Sequence, residues 1–221
     1  PHTAASPPPG GWRRGRAEGH PPTVACPRTP GTGSEVGRAS VIPNPQTHVK
    51  RIIFNPKSLP GVVIADPERT VGMPKMITAG TGMDAFAHCL EAYSSPFYHP
   101  MSAGIALEGM RLVKEFLPRA YREGTDLEAR ANMMSAAAMV AVAFQKGLGA
   151  IHALSHPVGA LYHTHHGTTN GVFMPYVLVF NRPAIEAKIE RLAGFLEIDG
   201  GVDGVLASGL ELRHKTGVPH D

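Results

Sequence analysis

A run of small and apolar side chains between residues 131 and 144 constrains the fold of this chain more than any other feature. Asn132 and Ser135 are its polar positions, and Asp126 lies where a helix N-cap would, so we predict a helix that continues to about residue 145. Because apolar residues occupy nearly every face, this helix should be buried and central. The run is too short to span a bilayer, which favours a soluble protein.

Sequence patterns elsewhere divide the chain into three parts. Residues 1–25 are rich in Pro, Gly and Arg without periodicity, and we predict a disordered or non-native tail. Residues 26–70 contain short β-branched runs that predict strands at 39–42, 51–54 and 62–65. Residues 71–221 have helical periodicity, with helices expected at about 81–94, 100–122, 126–145, 152–161, 167–180 and 203–217 and an amphipathic stripe at 185–196.

Length, charge and cysteine content exclude several classes of protein. The 221 residues correspond to one large domain or parts of two. A net charge of +3, scattered along the chain, argues against a nucleic-acid partner. Cys26 and Cys89 are far apart and belong to no CxxC motif, so we expect a reducing compartment and no disulfide. The first residues lack an apolar signal segment. We therefore expect a cytoplasmic protein without a membrane partner.

Histidines are concentrated in a way that predicts a divalent-metal site. Five of them lie between residues 152 and 166, and Asp84 precedes His88 by four residues. Residues four apart share one face of a helix, and ionisable groups on apolar helices are costly unless they are paired or bind a metal. The alternatives are a chance pair and a histidine bonded to a backbone carbonyl. The pattern is neither a zinc finger, since thiols are missing, nor HExxH, since Ala153 replaces the glutamate.

Four separated segments carry a resemblance to a known family. They are Pro27-Arg-Thr-Pro-Gly-Thr-Gly-Ser-Glu35, Thr81-Gly-Met-Asp-Ala-Phe-Ala-His88 with Glu91-Ala-Tyr93 after it, Gly147-Leu-Gly-Ala-Ile-His-Ala-Leu-Ser-His-Pro-Val-Gly159, and His165-His-Gly-Thr-Thr-Asn170. In this order and spacing they resemble the iron-containing (group III) alcohol dehydrogenases, from about Pro27 to Pro219.

The resemblance implies a fold and a set of site residues. The fold is mainly α, a dehydroquinate synthase-like helical metal-binding domain over 71–221 that is truncated at its C-terminal end. Residues 26–70 would be a small β-containing remnant of the N-terminal Rossmann-like α/β domain, most of which is absent. The implied metal ligands are Asp84, His88, His152 and His166. His156 is implied to be catalytic without ligating, whereas His163 and His165 are expected not to be ligands.

A glycine-rich turn is the candidate nucleotide site. Gly31-Thr-Gly-Ser34 has hydroxyls and backbone N–H groups that can contact phosphates, although a plain surface turn has the same composition. The resemblance implies cofactor contacts at Thr29, Gly31, Thr32, Gly33 and Ser34.

The implied function is that of an oxidoreductase that interconverts an alcohol and an aldehyde or ketone. Fe(II), Zn or another divalent metal would act as a Lewis acid, NAD or NADP would exchange hydride with the substrate, and His156 would relay the proton. We expect the isolated chain to bind about one divalent ion and to turn over poorly or not at all. A non-catalytic divalent-metal-binding helical module and a metal-dependent hydrolase are the alternatives, and a homo-oligomer is left open.

Overall fold

Six α-helices make up most of the computed structural model, which describes residues 22–44 and 50–220. In the described part of the chain the helices are α1 (Lys75–Ser94), α2 (Pro100–Arg122), α3 (Leu127–Ala143), α4 (Ala150–Tyr162), α5 (His166–Phe195) and α6 (Gly201–Lys215). Short 3-10 helices occupy Ser34–Val36, Pro56–Ser58, Pro67–Thr70 and Phe144–Lys146. Most of the predicted tail, residues 1–21, lies outside the described residues.

The β structure precedes the helices and is small. Strand β1 (Val24–Ala25) pairs in parallel with β4 (Val62–Val63), and β2 (Ala39–Pro43) pairs antiparallel with β3 (Lys50–Phe54). Several apolar strand residues are exposed, namely Val24, Val41, Ile42, Ile52, Phe54 and Val62. The hydrophobic core therefore lies in the helical part of the chain.

The central helix is α1, which corrects the prediction that the apolar segment 131–144 would be central. Fifteen residues of α1 are buried, and it packs against α2, α3 and α5. On α3 the side chains of Ser135 and Val142, seven residues apart, are exposed and define a solvent-facing stripe. Alanine makes a helix apolar on all sides while offering little area to bury, so composition alone overestimated the burial of α3.

Glycines in α1 allow neighbouring helices to approach it closely. A Cβ on Gly167 would lie 2.0 Å from the carbonyl oxygen of Gly80, so α1 and α5 touch backbone to backbone. A Cβ on Gly82 would meet the Leu117 side chain of α2 at 2.3 Å. The first contact sets the distance between α1 and α5, and the second sets the distance between α1 and α2, just before Asp84 in the sequence of α1.

Helix boundaries follow the sequence signals except in α5 and at the start of α1, which begins at Lys75 and not at about residue 81. Asp126 caps α3 as predicted, since its carboxylate accepts a hydrogen bond from the backbone N–H of Ala129 at 3.0 Å. The segments 167–180 and 185–196, treated separately in the sequence, form one helix with Pro175 and Pro183 inside it. Packing of α5 against α1 and α6 outweighs the hydrogen bonds that these prolines remove.

No single helix among the described residues is long and apolar enough to cross a membrane.

Candidate metal centre

Three helices bring the predicted metal ligands together. Asp84 and His88 lie on one face of α1, His152 lies in the first turn of α4, and His166 begins α5. Asp84, His88 and His152 are buried and each offers a ligand atom within 4.8 Å of the others. The Nε2 atom of His166 is 3.6 Å from Oδ1 of Asp84.

Hydrogen bonds at Nδ1 leave Nε2 of His152 and Nε2 of His166 facing Asp84, at 3.7 Å and 3.6 Å from its Oδ1. The Nδ1–H of His88 donates to the backbone carbonyl of Asp84 at 2.8 Å, and since a carbonyl only accepts, the proton must be on Nδ1. Nδ1 of His152 bonds to Glu91, and Nδ1 of His166 is 3.4 Å from the Ser155 hydroxyl. Each neutral ring can therefore keep an Nε2 lone pair for a cation.

Glu91 supports His152 from a buried position on α1. Its Oε2 lies 2.5 Å from Nδ1 of His152, and its Oε1 accepts the backbone N–H of Ile151 at 2.6 Å. The second contact places a carboxylate at the N-terminus of α4, where unpaired N–H groups and the helix dipole favour an anion. One side chain thus fixes both the ring orientation of His152 and the start of its helix.

Electrostatic coupling among these groups is strong. Burial alone would raise the pKa of Asp84, but His88, His152 and His166 hold that pKa well below its usual range. Burial lowers the pKa of His152, but hydrogen bonds and charges from Asp84 and Glu91 outweigh it and raise that pKa to about 9. Burial, with neighbouring histidines, lowers the pKa of His166 to about 4. The buried carboxylate therefore stays ionised and attracts positive charge.

The Asn170 side chain completes the surroundings of the carboxylate. Its Nδ2 lies 2.7 Å from Oδ1 of Asp84, 3.1 Å from Nε2 of His152 and 3.2 Å from Nε2 of His166. An amide has two N–H groups for these three acceptors. Its Oδ1 is buried without a hydrogen-bond partner among the described residues. Donors and acceptors are thus imperfectly matched at the point where the ligand atoms converge.

This donor set fits a divalent first-row cation. Imidazole nitrogen and carboxylate oxygen suit Zn²⁺, Fe²⁺ and related ions, and three histidines with one carboxylate can leave a coordination position for a substrate. An orphaned buried amide oxygen and an ionised buried carboxylate are costly in the absence of a positive partner. The four predicted ligands Asp84, His88, His152 and His166 stay a prediction that this geometry supports.

The other histidines of the cluster lie at its edge. The half-buried ring of His156 is 5.1 Å from the ring of His166 and 6.0 Å from that of His152, measured between centroids. His165 is exposed and caps α5, accepting the backbone N–H of Thr168 at 3.3 Å. His163 ends α4 in a left-handed conformation with φ 54°. His163 and His165 therefore both lie at helix ends.

The glycine-rich turn lies directly beside the predicted ligands. The Thr32 hydroxyl donates to Oδ2 of Asp84 at 3.0 Å, and a Cβ on Gly31 would lie 3.4 Å from the same oxygen. Thr29 and Ser34 are exposed, whereas Gly33 is buried with φ 67°. The predicted nucleotide contacts at these five positions remain a prediction.

Sequence reasoning assigned no role to Glu91 or Asn170. Spacing could have found both, since Asp84, His88 and Glu91 are positions i, i+4 and i+7 of one helix, and Asn170 follows His166 by four. The bond between Thr32 and Asp84 carries no such signal, because 52 residues separate the partners.

Family models match most of the chain. A model described as Fe-containing alcohol dehydrogenase family, C-terminal, matches residues 78–210, and one described as iron-containing alcohol dehydrogenase matches residues 3–67. The chain belongs to the iron-containing alcohol dehydrogenase family. The resemblance inferred from the sequence is thereby confirmed. The second match begins within the predicted tail, and the division into three parts at residues 25 and 70 stays a prediction.

Individual members of the iron-containing alcohol dehydrogenase family show the same relationship. The chain is 47% identical over 192 residues to a 4-hydroxybutyrate dehydrogenase of Cupriavidus necator, covering 82% of this chain and 50% of the relative. It is 42% identical over 180 residues to an NAD-dependent methanol dehydrogenase of Bacillus methanolicus, covering 81% and 46%. The chain therefore spans about half the length of the curated relatives it matches.

Solved structures agree with the sequence comparisons. A sulfoacetaldehyde reductase from Bifidobacterium kashiwanohense, in complex with NAD⁺, superposes with a TM-score of 0.86 at 31% identity. The superposition covers 91% of this chain and 54% of the reductase. The predicted fold class, a mainly α domain with a small β-containing part, is confirmed.

Proposed function

We propose that this chain carries the metal-centred half of an NAD(P)-linked alcohol dehydrogenase, which interconverts an alcohol and an aldehyde or ketone. The observation that carries the proposal is the convergence of the His88, His152 and His166 imidazoles on the Asp84 carboxylate, beside a glycine-rich turn. The matched relatives support the reaction class, since their names describe dehydrogenases of 4-hydroxybutyrate and methanol. A cytoplasmic location and a small alcohol or carbonyl substrate belong to the same proposal.

In this proposal Asp84, His88, His152 and His166 hold the cation, while Glu91 and Ser155 orient two of the rings. A bound cation would supply Lewis-acid chemistry at a substrate oxygen, and a nicotinamide would supply hydride exchange.

The proposed roles of the remaining residues follow from their positions. His156, whose ring neighbours that of His166, would take or return the substrate proton at an imidazole nitrogen. The exposed hydroxyls of Thr29 and Ser34 and the turn between them would contact the nucleotide. The buried site around Asp84 would exclude bulk water, which strengthens electrostatic interactions.

Metal titration is the direct test of the centre. We expect the full chain to bind one Zn²⁺ or Co²⁺ per molecule by calorimetry, with Co²⁺ giving visible d–d absorption of a tetrahedral or five-coordinate site. Asp84→Ala and His152→Gln should weaken Zn²⁺ binding about 100-fold or more. Each variant loses one metal ligand, while the remaining buried ligands still have to hold the cation away from water. His214→Ala, an exposed histidine on α6, is the matched control and should bind like the unaltered chain.

Nucleotide binding separates the proposal from its alternative. The metal-loaded chain should quench or shift NADH or NADPH fluorescence on binding, with or without turnover of added aldehyde. Metal binding together with no detectable nucleotide binding would favour a non-catalytic metal-binding helical module. Equal metal affinity of the Asp84→Ala and unaltered chains would overturn the proposed centre itself.

A further inference from the structure

The Thr32 side chain contacts the predicted metal ligand Asp84 across 52 residues of sequence. Its hydroxyl is half-buried and donates to Oδ2 of the carboxylate at 3.0 Å. A hydroxyl that donates its proton to Asp84 has no second proton for a phosphate oxygen. The side chain of Thr32 is therefore engaged with the metal centre, although it lies in the middle of the turn proposed to contact nucleotide.

The glycines on either side of Thr32 hold the turn against two helices. A Cβ on Gly33 would lie 1.9 Å from the carbonyl oxygen of Ala137 on α3, and its φ of 67° favours glycine. A Cβ on Gly31 would lie 3.2 Å from Cβ of Thr81 on α1. The turn therefore packs between α1 and α3, and this position places the Thr32 hydroxyl at Asp84.

The Asp84 carboxylate faces several competing partners. Oδ1 lies 2.7 Å from Nδ2 of Asn170, 3.3 Å from Nδ1 of His88, 3.6 Å from Nε2 of His166 and 3.7 Å from Nε2 of His152. Oδ2 lies on the side of Thr32. A cation ligated by Oδ1 and the imidazoles would fix the orientation of the carboxylate, and with it the acceptor that Thr32 uses.

We propose that Thr32 is a positioning residue that couples the metal centre to the glycine-rich turn, so that cation binding orders residues 31–34. This inference rests on the proposed metal centre. Thermodynamic linkage makes this coupling reciprocal. If the bound cation increases the affinity of the turn for a ligand by a given factor, the bound ligand increases the affinity for the cation by the same factor. The cation thus prepares the turn for nucleotide, and the exposed Thr29 and Ser34 remain available for contacts with it.

Hydrogen–deuterium exchange of the turn tests the coupling without any measurement of activity. In the full chain, saturating Zn²⁺ should slow amide exchange in peptides covering residues 31–36 by about threefold to tenfold. Thr32→Val keeps the shape of the side chain and removes the hydroxyl, so this protection should disappear. Its Zn²⁺ affinity, measured by calorimetry, should fall about tenfold, as is typical when the partner of a metal ligand is lost.

Two further variants distinguish the hydroxyl from general damage. Thr32→Ser keeps the hydroxyl and should retain both Zn²⁺ protection and affinity. Thr125→Val makes the same change at an exposed threonine between α2 and α3 and should behave like the unaltered chain.

Failure of the coupling is distinguishable from failure of the metal centre. Thr32→Val with unaltered Zn²⁺ affinity and unaltered protection of the turn would overturn the coupling while the metal centre stands. Loss of both properties in Thr32→Ser would also overturn it, since the hydroxyl would then not be the cause. No Zn²⁺ binding by the unaltered chain would overturn the metal centre and this inference together.

Discussion

Glu91 serves two groups with one carboxylate, the backbone N–H of Ile151 and the ring of His152. Its negative charge next to Nδ1 increases the basicity of the ring and fixes the tautomer whose Nε2 lone pair faces Asp84. The carboxylate contributes to metal binding without touching the metal, and its effect is separable from that of a ligand.

Replacement of Glu91 by glutamine tests this effect. Glu91→Gln keeps an acceptor oxygen of similar reach and removes the charge, so we expect Zn²⁺ affinity to fall about tenfold. Competition with a chelator of known affinity measures the change. Glu115→Gln, an exposed position on α2, is the control. A Zn²⁺ affinity unchanged in Glu91→Gln would show that its charge does not act through His152.

The two cysteines should differ sharply in reactivity. Burial raises the pKa of Cys89 to about 12, whereas Cys26 is exposed. At pH 8 a thiol with that pKa is deprotonated in roughly one molecule in ten thousand, and the thiolate is the reactive form. Iodoacetamide should label one thiol in the native chain and two in denaturant, with the native label on Cys26 by mass spectrometry. Equal labelling of Cys89 in the native chain would contradict its burial.

Whether a contact between two side chains can be predicted from the sequence depends on whether both residues lie in the same helix. Asp84, His88 and His152 were identified from helical spacing and family resemblance, and the structure brings them together. Glu91 lies one turn beyond His88 and could have been found the same way. Thr32 could not, because its contact with Asp84 depends on how an irregular turn packs on α1.

The contact between Gly80 and Gly167 decides how α1 and α5 meet. Both residues are helical. A Cβ at Gly167 would meet the backbone of Gly80, and a Cβ at Gly80 would meet the side chains of His165 and Thr168 at the start of α5. Since Asp84 follows Gly80 by one turn and Asn170 follows Gly167 by nearly one turn, separation of the helices would widen the metal centre. Helix packing and site geometry thus depend on the same two residues.

Two alanine substitutions at helical glycines should have opposite effects. Gly167→Ala places a methyl group 2.0 Å from a backbone oxygen, and overpacking of this kind destabilises by about 1–3 kcal/mol. Gly104→Ala on α2 meets nothing within 4 Å, and alanine in a helix is favoured over glycine by about 0.5–1 kcal/mol. Denaturant unfolding measures both free energies. A stable Gly167→Ala variant with unaltered Zn²⁺ affinity would contradict the role of this contact.

Local patterns predicted most helix ends well, apart from the start of α1, and predicted helix burial poorly. The range of α2 and the capping of α3 by Asp126 agree with the sequence signals because both depend on neighbouring residues. The central position of α1 and the continuity of α5 through Pro183 depend on what packs against each helix. Periodicity within one segment contains no information about those partners.

At the scale of the whole molecule, a cation that binds the folded chain should stabilise it. Free Zn²⁺ at about 100 times its Kd contributes about 2.7 kcal/mol to the folded state. For a chain of this length that corresponds to a Tm rise of roughly 5–10 °C. Thermal unfolding with Zn²⁺ and after treatment with EDTA measures the difference. Asp84→Ala should show no such rise, and an equal rise in that variant would place the ion elsewhere.

The family assignment and the fold class were accessible from separated motifs in order, since these motifs mark the helices that build the site. The two small sheets are a different case. Strand β1 has only two residues and pairs with β4, 38 residues later, so no local alternation indicates it. The pairing depends on the tertiary structure that brings Val24 and Val62 together and not on the local sequence.

The exposed turn between α4 and α5 joins two helices that each carry a proposed ligand. Only residues 163–165 connect Tyr162 to His166, and His163 has a positive φ. Exposed turns of this kind are preferred sites of proteolytic cleavage. A single cut there would leave His152 and His166 on separate polypeptides, held together by helix packing and by hydrogen bonds such as those of Asn170 to Asp84 and His152. An intact chain at the exposed residues 163–165 is therefore needed to keep the ligands of the proposed metal centre on one polypeptide.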